Sequence, residues 1–105
     1  PAIDWHGLQD VKETGWHRKL HIHREPFYYI EYGLSLLGAV QLWENALQDQ
    51  REALRKYRHS LALGATETLP ALYEAAGAKL AFDASTLQSA VALIEDTLFE
   101  LEEVL

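Results

Sequence analysis

The chain has 105 residues, 49% hydrophobic and 24% charged, a balance that suits one soluble globular unit and excludes a disordered tail. Nine basic against sixteen acidic residues give a formal net charge of -7, which counts against nucleic acid or an anionic membrane as a partner. With no cysteine there is no disulfide framework and no thiolate chemistry, and the expected location is cytoplasmic.

The opening Pro1-Ala2-Ile3-Asp4-Trp5 has neither the basic start nor the apolar run of a signal peptide. Without an initial methionine the chain reads as a segment of a longer protein. Residues 4–14 leave room for a helical turn or two, and Gly15 predicts a break before a short helix over 16–23. Pro26 fits a helix start, because the N–H it lacks would be unsatisfied there anyway. A helix is therefore predicted over 26–48.

Residues 32–43 carry no charge, yet the run falls short of the roughly 20 residues that cross a membrane. Being apolar on nearly all sides, this helix is expected to be buried within a bundle. Gly33 and Gly38 lie inside it, each costing about 1 kcal/mol against alanine. Close approach of another backbone would account for them.

Leu54, Tyr57 and Leu61, with Ala53 alongside, predict a helix over 50–63 with Gly64 as a left-handed cap. Thr68 and Pro70 open a short helix that Gly77 closes, and residues 78–82 form a connection. Ser85-Thr86-Leu87-Gln88 matches a capping box. After it, Leu87, Val91, Ile94, Leu98, Leu101 and Leu105 form a narrow apolar seam. The seam is expected to pack within the chain, with a second copy as the other partner that could cover it. Glu95, Asp96, Glu100, Glu102 and Glu103 read as its solvated face. No segment reads as a strand, so the expected fold is all-α, a bundle of about four to five helices forming a single unit.

Residues 16–32 gather three of the five histidines and three of the five tyrosines. Imidazole and phenol groups both donate hydrogen bonds at neutral pH, and imidazole also binds metals. His17 and His21 have the spacing of a zinc-binding pair on a helix, but Arg18 stands where H-E-x-x-H has its glutamate, and a guanidinium neither accepts a proton nor tolerates a metal beside it. A metal site of the chain's own would have to use His17, His21 and His23 without carboxylate or thiolate help. The plainer reading of the histidines is ordinary hydrogen-bonded surface residues. For Tyr28, Tyr29 and Tyr32 the plainer reading is amphipathic core positions whose hydroxyls reach a boundary.

The run His21-Ile22-His23-Arg24-Glu25-Pro26-Phe27-Tyr28-Tyr29-Ile30-Glu31-Tyr32-Gly33, continuing through Leu37-Gly38-Ala39-Val40-Gln41-Leu42-Trp43, resembles the C-terminal active-site segment of oligoendopeptidase F-like zinc metallopeptidases, relatives of thimet oligopeptidase. Asp4-Trp5, Trp16, Tyr57, Ala62-Leu63-Gly64 and Leu69-Pro70-Ala71-Leu72-Tyr73-Glu74-Ala75-Ala76-Gly77 are similar to landmarks of the same region. The resemblance implies a C-terminal part of a larger helical catalytic domain that hydrolyses short peptides. In such an enzyme a zinc on an upstream H-E-x-x-H helix activates water, and this segment supplies donors to the substrate and the oxyanion. It assigns the catalytic donors to His21, Tyr32 and Tyr29, with His23 and Tyr28 binding substrate and His23 as the rival for the histidine role. The implied partners are an oligopeptide and the upstream part of the peptidase. Lacking the zinc motif, the chain alone is expected to bind no zinc and to be inactive.

Overall fold

The computed structural model describes residues 3–104 and is all-α, with six α-helices, two 3-10 turns and no strand among those residues. No helix among them is long and apolar enough to cross a membrane. The chain divides into two compact units, Pro1–Glu31 and Tyr32–Leu105.

In the first unit, Asp4 accepts the His6 N–H at 2.8 Å and Gly7 turns the chain with φ 73°, leading into α1, Gln9–Thr14. A 3-10 turn over Gly15–Arg18 follows. Lys19, at φ -86° and ψ 89°, breaks the backbone before α2, Leu20–Arg24. The helix expected over 16–23 is thus two short pieces, and the break lies at Lys19, since Gly15 keeps ordinary helical angles.

The long helix α3 spans Ile30–Gln48, four residues later than expected. Pro26 occupies the second position of a tight turn, with Phe27 at φ 67° and the Tyr28 N–H donating to the Glu25 carbonyl at 3.1 Å. Proline there followed by positive φ is the pattern of a type II turn, and it delays the helix. One residue, Asp49, separates α3 from α4, Gln50–Leu63, and its extended backbone and carboxylate, which accepts the Glu52 N–H at 3.0 Å, make it the cap of α4. The Arg55 hydrogen bond, with the charges of Arg55 and Lys56, holds the Glu52 carboxyl below its ordinary value.

Gly64 ends α4 with φ 56° and ψ -131°, positive φ as expected but outside the left-handed helical region. A 3-10 turn, Gly64–Thr66, leads to α5, Leu69–Ala75, entered through Pro70 while the Thr68 side chain makes no capping bond. Gly77, at φ 81°, closes α5: its N–H donates to Glu74 and that of Ala78 to Tyr73, both at 2.9 Å, which is a Schellman arrangement. The segment after it is fastened to α3. Asn45 donates to the Gly77 carbonyl at 2.7 Å, and the Gln41 amide both donates to and accepts from the Lys79 backbone, at 3.0 and 2.9 Å.

The last helix, α6, spans Ala84–Val104. Its cap is Asp83 in place of the expected Ser85: one Asp83 oxygen accepts from the Thr86 N–H at 2.9 Å and from the Ser85 hydroxyl at 2.6 Å. Lys79 pairs with the other oxygen at 2.7 Å.

The core of these helices is built from small residues. Val40, Ala53, Ala76, Ala81 and Ala90 are buried, and no large side chain is fully so. Two expected burial patterns, those of α3 and α6, are therefore corrected, and α4 shows the same arrangement. On α3, Gly38 and Val40 face inward while Leu36, Trp43 and Leu47 are exposed, so the helix is not covered on all sides. On α4, Ala53, Lys56, Ser60 and Leu63 turn inward, leaving Leu54, Tyr57 and Leu61 outside. On α6 the covered face is Thr86, Ala90, Leu93 and Thr97, and the seam of Leu87, Val91, Ile94, Leu98 and Leu101 is open. Leu105, the last position expected in that seam, lies outside the described residues, as do Pro1 and Ala2. The physical reason is common to the three helices: small residues let backbones approach closely, and the bulky stripes are left facing out.

Of the two glycines in α3, only Gly38 meets a neighbour. A Cβ there would lie 2.7 Å from Cε1 of Tyr73, whose hydroxyl donates to the Leu34 carbonyl at 3.2 Å. The neighbour is a ring where a backbone was expected. At Gly33 nothing lies within 4 Å.

Candidate functional site

The histidine and tyrosine cluster of the first unit is organised by its two backbone breaks. The 3-10 turn places the Trp16 ring edge-on to His17, with centroids 4.0 Å apart. Past Lys19, α2 brings His23 onto the same indole, stacked at 5.6 Å with 29° between planes. Glu25, the residue before proline, leaves helical geometry at φ -123° and ψ 73°. The Pro26-Phe27 turn then folds Tyr28 and Tyr29 back onto α2. His21 stacks on Tyr28 with centroids 5.5 Å apart and 12° between planes, and meets Tyr29 at 5.8 Å and 34°.

Ring contacts of this kind are worth about 0.5–1.5 kcal/mol each beyond burial, enough to restrict the imidazole. His21 is half-buried beneath its two neighbours. Tyr28 and Tyr29 are 43% and 44% exposed, so the cluster is open to solvent and to a ligand. These two tyrosines are not core residues, which the plainer sequence reading had made them.

Tyr32 belongs to the second unit, on the first turns of α3, where the Ser35 hydroxyl donates to its carbonyl at 3.1 Å. Its side chain is 51% exposed. His21, Tyr28 and Tyr29 thus form one contact group, and His23 forms another with Trp16 and His17. The division separates the two rivals for the histidine role by what they touch: tyrosines for His21, tryptophan for His23.

Among the described residues, no group of three or more His, Asp or Glu side chains could hold a metal ion. His17 and His21 do not share one continuous helix, because the Lys19 break lies between them.

Sequence reasoning gave Trp16 no role at the site, although its ring gathers two of the histidines. It also missed Phe27, which is 94% exposed at positive φ. The Glu25-Pro26 pair signalled the turn, but the third position of a type II turn favours glycine, and phenylalanine there concealed it. A further feature is a groove of about 270 Å³ between α3, α4 and α5, lined by residues that include Ser35, Leu42, Tyr57, Leu69 and Tyr73. The Tyr73 and Ser60 hydroxyls at this groove donate to backbone carbonyls of the chain itself, leaving a largely apolar lining.

Comparison with family models, with curated proteins and with solved structures returned no match to this chain.

Proposed function

We propose that the chain is the C-terminal segment of a zinc-dependent oligopeptidase of the oligoendopeptidase F type, contributing side chains that hold a short peptide and stabilise its oxyanion. The observation that carries this reading is the run from His21 to Tyr32, in which the His21 ring is held between Tyr28 and Tyr29 at a solvent-open surface. The zinc of such an enzyme, and the water it activates, would be held by residues outside this chain.

Within that frame His21 and Tyr29 donate hydrogen bonds to a peptide carbonyl as it gains negative charge, and Tyr32 keeps the donor role that the resemblance gives it. Donors already in place stabilise the developing charge without reorganising at the moment of reaction. Tyr28 and His23 present flat faces and polar edges to the rest of the peptide. Exposed rings support the assignment because a substrate must reach them.

The test uses a longer protein that carries this chain behind a metal motif. Tyr32→Phe is expected to lower kcat for a short peptide by about a hundredfold, the usual effect of losing one oxyanion donor, with KM little changed. His21→Ala is expected to act in the same direction. Unchanged cleavage in both variants would remove the assignment.

A second reading, a helical interaction module without catalytic activity, is favoured by the outward-facing apolar stripes of α3, α4 and α6. It concerns a different surface from the histidine cluster, and the two roles are compatible in one chain.

A further inference from the structure

The apolar stripes of α4 and α6 carry opposite charges in matching positions. On α4, Leu54 is 55% exposed and is flanked by Arg51 three residues before and Arg58 four residues after, and these residues with Arg55 line a shallow recess. On α6, Leu98 is 54% exposed and is flanked by Glu95 three residues before and Glu102 four residues after. A leucine between cations at -3 and +4 on α4 thus has an acidic counterpart on α6. Seven residues beyond each leucine stands another, Leu61, exposed on α4, and Leu105, which lies outside the described residues.

Among the described residues, no ion pair neutralises either set of charges. The ion pairs among the described residues join Glu52 with Arg55 and Lys56, and Lys79 with Asp83, leaving Arg51, Arg58, Glu95 and Glu102 without partners. All five charges of α6 are acidic, at positions 95, 96, 100, 102 and 103. Pairing α6 with α6 of another copy would leave every carboxylate without a cation, whereas α4 offers arginines beside an apolar ridge. Arginine forks suit carboxylates, and desolvating leucines beneath them adds apolar burial.

We infer that the chain forms a two-fold dimer in which α4 of one copy packs against α6 of the other, and the reverse contact closes the pair. This rests on the second reading above, that another protein surface covers the outward stripes, and it names that surface as a second copy. Leu54 seats beside Leu98, with Arg51 and Arg58 against Glu95 and Glu102. The contact is self-complementary because each copy supplies both helices.

Sedimentation velocity on the full chain tests it. The expected result is a dimer in 50 mM salt (about one Debye length of 14 Å) that weakens at least tenfold in 1 M salt, where screening reaches about 3 Å. Arg51→Glu with Arg58→Glu, and separately Glu95→Arg with Glu102→Arg, should each yield monomers, since the altered chains carry like charges on both helices. Mixing the two variants should restore a one-to-one dimer, in which both contacts regain opposite charges. Recovery on mixing also shows that the variants fold. A chain monomeric under every condition overturns the pairing and leaves the outward stripes to a different protein. A dimer indifferent to salt and to either variant, a mixture that fails to associate, or growth beyond two copies overturns the pairing alone.

Discussion

The carboxylate of Asp83 is held well below the usual carboxylate range, first by the Lys79 contact and then by hydrogen bonds from Ser85 and Thr86. A depressed value in the fold means that ionised Asp83 stabilises the native state at every pH above its unfolded value of about 3.8, and that this contribution fades as acid drives the pH lower. Asp83→Ala is therefore expected to lower the thermal midpoint by a few degrees at pH 7, with the gap from wild type closing below about pH 4, as followed by circular dichroism. Sequence pattern marked the Ser85-Thr86-Leu87-Gln88 box as the start of α6, whereas the cap in the structure is Asp83. Lys79, four residues before Asp83, pairs with its carboxylate at the helix entrance, a contact that the capping-box pattern does not signal. At the site, the clustering of histidine and tyrosine was legible from composition. Which rings meet was not, since that depends on positive φ at Phe27 and on the Lys19 break, neither of which has a strong residue signature.

Among elements, the two glycines of α3 make opposite expectations. Gly33→Ala adds a methyl into open space and should stabilise the chain by about 0.5–1 kcal/mol through helix propensity. Gly38→Ala forces a Cβ to within 2.7 Å of a ring anchored at its hydroxyl, and should destabilise it, since overpacking of about 1–3 kcal/mol exceeds that gain. Urea unfolding of both variants checks the pair, and equal midpoints would contradict it. Helix positions were legible wherever a cap or stop was local, as at Gly64 and Gly77. Inward faces were not. The periodic bulky residues of α4 and α6 marked one stripe each, whereas the packing uses the adjacent one, Ala53, Lys56, Ser60 and Leu63 on α4 and Thr86, Ala90, Leu93 and Thr97 on α6, a mixture that hydrophobic periodicity does not single out.

For the whole molecule, the outward stripes and the histidine cluster are both open to solvent, and the proposals above assign each of them a binding role. An all-α chain whose buried residues are mostly alanines has little apolar area with which to offset the entropy of folding, so added coverage would raise its stability by mass action. The account holds that this chain is one part of a peptide-cleaving site whose metal lies elsewhere. Reconstitution tests that most directly, by mixing the chain with a zinc-bearing upstream part of an oligoendopeptidase F-type enzyme and following hydrolysis of a short fluorogenic peptide. The account predicts that neither part cleaves alone and that the mixture does. Full activity of the upstream part by itself, or a mixture as inactive as its components, would contradict it.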